Sequence, residues 1–348
     1  MKLFIQIPCL NEERTLPHVI AGLPTSIPHI DEIRLLIVDD GSTDKTVETA
    51  KKLGVDYIVS NGKTLGLAKS FSKGLDACLS LGADIIVNTD GDNQYAGADI
   101  AKLVNPIVEG KSDIVIGCRD IVGHSEFSWL KKFLQRWGSK VVRSMSGINI
   151  PDATSGFRGI NRTAAIKFSI MSNFSYTIEM LVQAVRIGLK VSWIPVRTNA
   201  KLRESRLFKS NTSFVINQLT TIVKTYVFYS PIRFFGWLSL ISFAASTLLS
   251  LRIFYFLWFF EDDFKFKTGS GVLLLFFSIT TVLFFVAGTL GAVLSGLRNL
   301  IIDLRSRFRN FELQQNIDLF EIDIFTTSKF SKWADYGKDK KSRSVEQD

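Results

Sequence analysis

Histidine and cysteine are scarce in this sequence of 348 residues, with three of each. The cysteines, Cys9, Cys78 and Cys118, are odd in number and far apart, which does not fit a disulfide framework or a redox motif. No pair of histidines is clustered, so we do not expect a zinc site, which needs neighbouring His or Cys ligands. We expect the three cysteines to be reduced residues that pack in the interior.

Charge is missing from two long stretches near the C-terminal end. Residues 234–251 contain no charged residue, the apolar run resumes after Arg252, and residues 272–297 are again uncharged. A membrane-spanning helix needs about 20 mostly apolar residues. Two buried core helices are the alternative, but a core helix rarely stays apolar on all its faces. The sequence predicts a two-helix transmembrane hairpin within residues 232–297, with spans at about 234–258 and 272–297.

Basic residues flank the outer ends of this hairpin, whereas the loop between the spans holds three acids and two lysines. They are Lys209, Lys224 and Arg233 before it and Arg298, Arg305, Arg307 and Arg309 after it. By the positive-inside rule we expect an integral membrane protein, of the inner or plasma membrane if bacterial, whose catalytic domain and termini are cytoplasmic. The formal net charge of +9 favours anionic lipid surfaces and phosphate-bearing substrates. We do not expect nucleic acid as a partner, since no basic helix carries interleaved aromatic residues.

Up to about residue 210, strand-like apolar runs alternate with helical patterns. The predicted strands are 3–8, 33–40, 56–60, 84–90 and 113–119. This alternation predicts an α/β domain over residues 1–210 with a doubly wound, mostly parallel sheet. We expect an interfacial amphipathic helix over 211–231, and a cytoplasmic amphipathic helix and tail over 298–348. Ligands of such sheets bind beyond the carboxyl ends of the strands, where polar side chains are found here.

Two of these polar residues, Asp90 and Asp92, follow the fourth predicted strand in the sequence TDGDNQ. Residues two apart in an extended chain face the same side, so the two carboxylates can share a ligand. Close carboxylates repel each other unless a proton or a cation lies between them. Mg²⁺ or Mn²⁺ is therefore the expected cofactor, with Gln94 as a third oxygen ligand. A solvated turn with capping aspartates is the alternative.

Several motifs occur together in a fixed order: IPCLNEE, IVDDGSTDKT, TDGDNQ, GCR and DATSGFRGIN. This set resembles the family 2 glycosyltransferases, which have the GT-A fold. Within the family it most resembles polyprenyl-phosphate sugar synthases, such as dolichol-phosphate mannose synthases and the bacterial glucosyl-carrier synthases. The resemblance covers residues 1 to 210 by motif, and extends to about 300 by the membrane layout.

The resemblance implies roles for individual residues on the donor side. It implies that the nucleotide sugar is bound by Pro8, Asn11, Glu12, Asp39, Asp40, Asp90, Arg203, Ser205 and Arg206. Asp90, Asp92 and Gln94 would hold the metal on the donor diphosphate. It also implies that Lys209, together with Arg203 and Arg206, closes over this diphosphate. A basic patch that faces the lipid surface is the alternative interpretation of these residues, and the two interpretations are compatible.

On the acceptor side the phosphate is already ionised, so the reaction needs positive charge rather than a strong base. The resemblance implies that Arg119, Lys132 and Arg136 bind the acceptor phosphate. Asp92, Asp152 and Arg119 are the candidate catalytic residues, although Asp152 is equally well explained as part of a structural turn. The contiguous Gln135-Arg136-Trp137 does not have the spacing of a processive synthase, so we expect transfer of a single sugar.

We therefore expect a metal-dependent inverting glycosyltransferase that moves one hexose from a UDP- or GDP-linked sugar to dolichyl or undecaprenyl phosphate at the cytoplasmic face. Two alternatives remain open. One is a transferase with the same fold that acts on another lipid acceptor; a hydroxyl acceptor would need a general base, for which Asp152 is the candidate. The other is a non-catalytic, membrane-anchored scaffold that binds nucleotide sugars. The resemblance also leaves a homo-oligomer open.

Overall fold

The computed structural model describes residues 1–119, 150–170, 176–199, 226–259, 264–315 and 324–326, and the single residues 220, 223 and 224. It divides into two compact units, the described parts of Met1–Leu219 with Ile302–Asp348, and of Thr220–Ile301.

The first unit is built on one sheet of eight strands. These are β1 (Lys2–Cys9), β2 (Glu32–Asp39), β3 (Tyr57–Ser60), β4 (Ile85–Asn88), β5 (Ile114–Arg119), β6 (Arg158–Asn161), β7 (Val191–Val196) and β8 (Ile324–Thr326). Their order in the sheet is β7-β5-β6-β4-β1-β2-β3-β8. Helices of this unit are α1 (Leu16–Ala21), α2 (Thr46–Lys52), α3 (Leu67–Ser80), α4 (Ile100–Val108), α5 (Arg162–Lys167) and α6 (Tyr176–Arg186).

The central strands are buried on both faces, as a sheet covered by helices on both sides requires. One face of β1 carries Leu3, Ile5 and Ile7, which belong to a core cluster shared with α1 and α4. The opposite face carries Phe4 and Gln6. The predicted α/β fold with a mostly parallel sheet is therefore confirmed.

Two strands in the described residues run against the parallel direction, and neither was predicted. β6 lies between β4 and β5 and is antiparallel to both, and β8 pairs antiparallel with β3 at the edge of the sheet. Each has only three or four residues, which is too short for a periodic pattern to be recognised in the sequence.

The second unit contains most of the charge-free sequence. Its helices are α7 (Pro231–Phe259) and the first part of α8 (Phe264–Gln315), and both are long and apolar enough to cross a membrane. Inside this unit the two helices hydrogen-bond through small hydroxyl side chains: Ser239 Oγ donates to Thr281 O at 3.1 Å, and Ser242 Oγ to Phe277 O at 3.0 Å. Their other faces expose large apolar residues such as Trp237 and Leu248.

The predicted helix that begins at 298 is not a separate element, because α8 continues without a break to Gln315. Residues 297–315 contain neither Gly nor Pro, so nothing in the sequence ends the helix there. From Ile302 onward the described residues belong to the first unit. The predicted interfacial helix at 211–231 lies mostly outside the described residues.

Candidate functional site

The candidate site lies at the edge of the sheet where β1, β2, β4 and β5 end. These four strands point the same way, because β1 is parallel to β2 and β4, and β6 is antiparallel to both β4 and β5. For the same reason β6 begins at this edge, so the segment 150–157 that precedes it joins the strand ends. The unpredicted antiparallel strand thus brings Asp152 and its neighbours into the site.

The two acidic residues after β4 are close enough to influence each other. Burial, together with the neighbouring charge of Asp92, raises the pKa of Asp90 to about 7, and Arg119 offsets this only in part. Asp92 Oδ1 accepts a hydrogen bond from the backbone N–H of Gln94 at 3.0 Å, which fixes the turn. A Cβ at Gly156 would lie 3.0 Å from Asp90 Oδ1, so glycine is needed for the loop to approach this carboxylate.

Arg119, the last residue of β5, is held by a bidentate ion pair with Asp152. Arg119 Nε donates to Asp152 Oδ2 at 2.7 Å and Nη2 donates to Oδ1 at 3.2 Å. Thr154 Oγ1 donates to Asp152 at 2.8 Å, and Arg119 Nη1 donates to Gln94 Oε1 at 3.0 Å. Burial alone would raise the pKa of Asp152, but the Arg119 charge and these hydrogen bonds bring it below its ordinary value. Asp152 therefore stays ionised and orients Arg119.

Gln94 was predicted as the third metal ligand, and the structure places its side-chain oxygen on Arg119. That role of Gln94 stays a prediction. Among the residues that the structure describes, no group of three His, Cys, Asp or Glu side chains is arranged to hold a metal ion. Asp90 and Asp92 would hold a Mg²⁺ ion together with oxygens of other groups, such as the substrate phosphates that this ion favours.

The two neighbouring aspartates at the end of β2 have different surroundings. Asp40 accepts from Asn61 Nδ2 at 2.8 Å and from the backbone N–H groups of Leu65 and Gly66, both at 2.9 Å, and so holds the loop before α3. Asp39 accepts from the backbone N–H of Ser42 at 3.1 Å and has a longer contact, 3.5 Å, with the Ser60 hydroxyl. Asp39 thus has more capacity left for hydroxyl groups of a ligand.

The other predicted donor-side residues that the structure describes also lie at this edge. Pro8 is the next-to-last residue of β1. Asn11 has a φ of 56°, and its side-chain oxygen accepts from the Thr43 N–H at 2.8 Å. Glu12 is buried, and its carboxylate accepts from the Thr15 hydroxyl at 2.6 Å. Asn11 and Glu12 therefore help to shape the loops around the pocket.

Six predicted residues lie outside the described part of the chain: Lys132, Arg136, Arg203, Ser205, Arg206 and Lys209. Their roles on the two phosphate groups stay predictions.

Several supporting residues were not identified from the sequence. The Tyr95 hydroxyl accepts from Ser155 Oγ and from the Gly156 N–H, both at 3.3 Å. Asn199 Nδ2 donates to the backbone oxygen of Asn93 at 3.1 Å and ties the acidic loop to the chain after β7. The motif TSGF, residues 154–157, contains both partners of Tyr95 and could have drawn attention to that contact. Nothing in the sequence indicated the contact between Asn199 and Asn93.

Arg158 is also fully buried, and it is structural rather than available to a substrate. Its guanidinium donates to the backbone oxygens of Ser155, Thr177 and Ala153 at 2.8, 2.8 and 2.9 Å. These bonds fix the segment that carries Asp152.

Comparison with protein families agrees with the motifs. Residues 4–168 match the model described as Glycosyl transferase family 2. This range contains most of β1, all of β2 to β6 and the described acidic residues of the site.

Curated proteins similar to this chain include three lipid-phosphate glycosyltransferases. Polyprenol monophosphomannose synthase of Mycolicibacterium smegmatis is 25% identical over 217 residues, which are 59% of this chain and 80% of that protein. Undecaprenyl-phosphate mannosyltransferase of Micrococcus luteus is 25% identical, with 60% and 88% covered. UDP-N-acetylglucosamine–dolichyl-phosphate N-acetylglucosaminyltransferase of Methanococcus voltae is 28% identical, with 56% and 85% covered.

Among solved structures, the fold is similar to that of glucosyl-3-phosphoglycerate synthase from Mycobacterium tuberculosis. The complex of that enzyme with Mn²⁺, uridine-diphosphate-glucose and phosphoglyceric acid has a TM-score of 0.51 at 20% identity, covering 65% of this chain and 78% of that one. The likeness supports the GT-A fold.

Proposed function

We propose that the protein transfers one hexose from a UDP- or GDP-linked sugar to polyprenyl phosphate, on the premise that residues 4–168, which match the Glycosyl transferase family 2 model, are its catalytic domain. The similarity to three enzymes named for polyprenol, undecaprenyl-phosphate or dolichyl-phosphate substrates supports this acceptor class. The two apolar helices support a membrane-bound enzyme. The basic residues at the outer ends of these helices favour a catalytic domain on the cytoplasmic side.

The observation that carries the proposal is the bidentate pair of Arg119 and Asp152 beside the acidic residues Asp90 and Asp92. A general base works best with a pKa near the operating pH. The pKa of Asp152 is lowered, and both of its oxygens already accept hydrogen bonds from Arg119. This argues against a hydroxyl acceptor, which needs a base, and favours a phosphate acceptor, which arrives ionised.

The described part of the site has an excess of negative charge. Five acids lie at this edge of the sheet, Glu12, Asp39, Asp90, Asp92 and Asp152, and Arg119 forms an ion pair with the last of them. A negatively charged diphosphate would be repelled from such a site unless a cation came with it. Asp90 and Asp92 fit Mg²⁺ or Mn²⁺, and Gln94 is the proposed third ligand. When bound, the ion would neutralise charge on the leaving nucleoside diphosphate.

The proposed reaction needs no proton transfer by the protein. An ionised oxygen of the acceptor phosphate attacks the anomeric carbon, the bond from that carbon to the diphosphate oxygen breaks, and the nucleoside diphosphate leaves with the electron pair. The sugar configuration is inverted by this single displacement. Asp39 would hold hydroxyls of the donor, and Arg119, oriented by Asp152, would bring positive charge to the phosphate groups.

A transfer assay on membranes tests the proposal. Membranes containing the full chain are incubated with undecaprenyl phosphate, Mg²⁺ or Mn²⁺, and radiolabelled UDP-glucose, UDP-N-acetylglucosamine or GDP-mannose. We expect label in the lipid extract with one of the donors, its loss in EDTA, and its return when the metal is restored. If no donor labels the lipid, the proposal is wrong.

A pair of acid-to-alanine variants shows whether the site carries the activity. Asp92→Ala should lower the transfer rate by on the order of 10³-fold, as expected when a preorganised stabilising group is removed. Glu48→Ala removes an exposed carboxylate from α2 and should leave the rate unchanged. A scaffold protein would show no transfer in either variant or in the parent chain.

A further inference from the structure

One cation of the second unit is buried without a matching acceptor among the described residues. Arg298 in α8 is 8% exposed, and among the described residues its Nε and Nη2 atoms have no hydrogen-bond partner. Its Nη1 atom is 3.5 Å from the backbone oxygen of Phe228, at the limit of a hydrogen bond. A charged donor that is buried and unsatisfied is costly, and more so beside a membrane.

Two aromatic rings hold the guanidinium in place. The Arg298 guanidinium carbon is 4.1 Å from the ring centroid of Tyr229 and 5.0 Å from that of Phe228. Such cation–π contacts use the face of the planar guanidinium. The N–H groups of Arg298 lie in the guanidinium plane and point outward from its edge. An acceptor at that edge can therefore receive hydrogen bonds from them, which is the geometry in which arginine binds phosphate.

No acidic residue of this unit can neutralise Arg298. Between Thr220 and Ile301 the only acids are Glu261, Asp262 and Asp263, which lie between the two apolar helices in the sequence. In the sequence these acids come before Phe264, where α8 begins, and about 50 Å of helix at 1.5 Å per residue separates Phe264 from Arg298. The missing acceptor has to come from outside this unit.

The place of Arg298 in the sequence indicates the kind of acceptor. It is the first charged residue after the uncharged run 272–297, and Tyr229 lies two residues before α7 begins. A run of 26 residues spans about 39 Å as a helix, close to the thickness of a bilayer with its headgroups. Arg298 and Tyr229 would thus lie at headgroup level, where lipid phosphate groups are found.

We propose that Arg298, stacked on Tyr229 and Phe228, forms a binding site for a lipid phosphate group. The phosphate belongs either to a polyprenyl phosphate or to an anionic phospholipid. The inference rests on insertion of the two apolar helices into a membrane, and it does not depend on the transfer reaction.

Lipid binding to the purified full-length protein in detergent tests this site without any sugar donor. Undecaprenyl phosphate, phosphatidylglycerol and the zwitterionic phosphatidylcholine are titrated separately, and bound lipid is counted by native mass spectrometry. We expect Arg298→Gln to weaken binding of at least one anionic lipid by on the order of tenfold or more, the loss of a charged hydrogen bond. If the substitution weakens binding of undecaprenyl phosphate alone, the site binds polyprenyl phosphate. If it weakens binding of phosphatidylglycerol alone, the site binds an anionic phospholipid.

Lys224→Gln is the matched control, because Lys224 is an exposed cation of the same unit, five residues before Tyr229 in the sequence. We expect it to change binding by no more than about twofold, as for a screened surface charge. If Arg298→Gln does not fold, Arg298→Lys is tested instead. This variant keeps the positive charge but loses the planar guanidinium group, so it should bind the anionic lipid more weakly than the parent protein does. Unchanged binding of both anionic lipids in the folded Arg298 variant would overturn the proposal.

Discussion

At the scale of single residues, Asp39 and Asp40 show how two adjacent carboxylates take different roles. Both are buried at the end of β2. Asp40 receives three hydrogen bonds from the loop 61–66, whereas Asp39 receives one backbone hydrogen bond and a long contact from a hydroxyl. The first residue therefore stabilises the pocket wall, and the second is the better candidate for a donor hydroxyl.

Substituting each of the two by asparagine should separate these roles. Asp40→Asn removes charge-assisted hydrogen bonds and should lower the free energy of unfolding by about 1–3 kcal/mol. Asp39→Asn should raise KM for the nucleotide sugar by on the order of tenfold, with a smaller effect on stability. Steady-state kinetics and thermal unfolding of the same preparations would check both effects; equal losses of stability in the two variants would contradict the assignment.

At the scale of elements, the C-terminal part of α8 is anchored in the first unit by one buried arginine. Arg309 pairs with Asp76 of α3 and donates to the backbone oxygens of Ala165 and Phe168, at the end of α5, at 3.1 and 2.9 Å. Burial lowers the pKa of Arg309 and raises that of Asp76, each opposed by the charge of the other. Such a pair is costly to break, because the remaining charge stays buried.

Arg309→Met should therefore make local opening of α3 more frequent, and the rate at which Cys78 is labelled reports this opening. This cysteine is fully buried two residues after Asp76, so a thiol reagent reaches it only when the structure opens. Breaking a buried ion pair costs about 3–5 kcal/mol, which would speed labelling of Cys78 by on the order of 100-fold or more. Labelling is measured by mass spectrometry of the Cys78 peptide.

Arg307→Met provides the control, since Arg307 is exposed and pairs with Asp303 one turn away on the same helix. We expect it to leave the labelling rate nearly unchanged. The double variant Asp76→Leu, Arg309→Met should label more slowly than Arg309→Met alone, because no unpaired charge is left. If the double variant labels as fast as the single one, the ion pair is not what holds the helix.

At the scale of the whole molecule, a domain that matches the Glycosyl transferase family 2 model and two apolar helices share one chain. The basic residues at the outer ends of the helices predict that the domain is cytoplasmic and that the short acidic loop faces the opposite side. The three native cysteines are buried, so a single introduced cysteine can report the topology.

Asp262→Cys, in the loop, should react with a membrane-impermeant maleimide on intact cells. Glu48→Cys, on the exposed side of α2, should react only after the cells are permeabilised. Both variants should react fully in detergent, and the unsubstituted chain should not react in any of the three conditions. The reverse pattern for the two introduced cysteines would show that the predicted orientation is wrong.

Much of the fold was predictable because its signals are local. The buried runs of β1, β2, β4 and β5 and the uncharged stretches of α7 and α8 depend only on neighbouring residues. The short strand β6 and the uninterrupted length of α8 were not predicted. Strand pairing depends on partners that are distant in the sequence, which no local pattern contains. The continuation of α8 had a local signal, because residues 297–315 contain neither Gly nor Pro.

The site divides in the same way. The spacing of Asp90 and Asp92 already places two carboxylates at a strand end, because alternation along an extended chain is a property of the backbone. Whether Asp152 acts as a base or as the partner of Arg119 could not be read from the chain, since the two residues are 33 positions apart. The pairing of Asp152 with Arg119 follows from the tertiary structure, because the reversed direction of β6 brings the segment 150–157 to the end of β5, where a buried guanidinium needs a carboxylate.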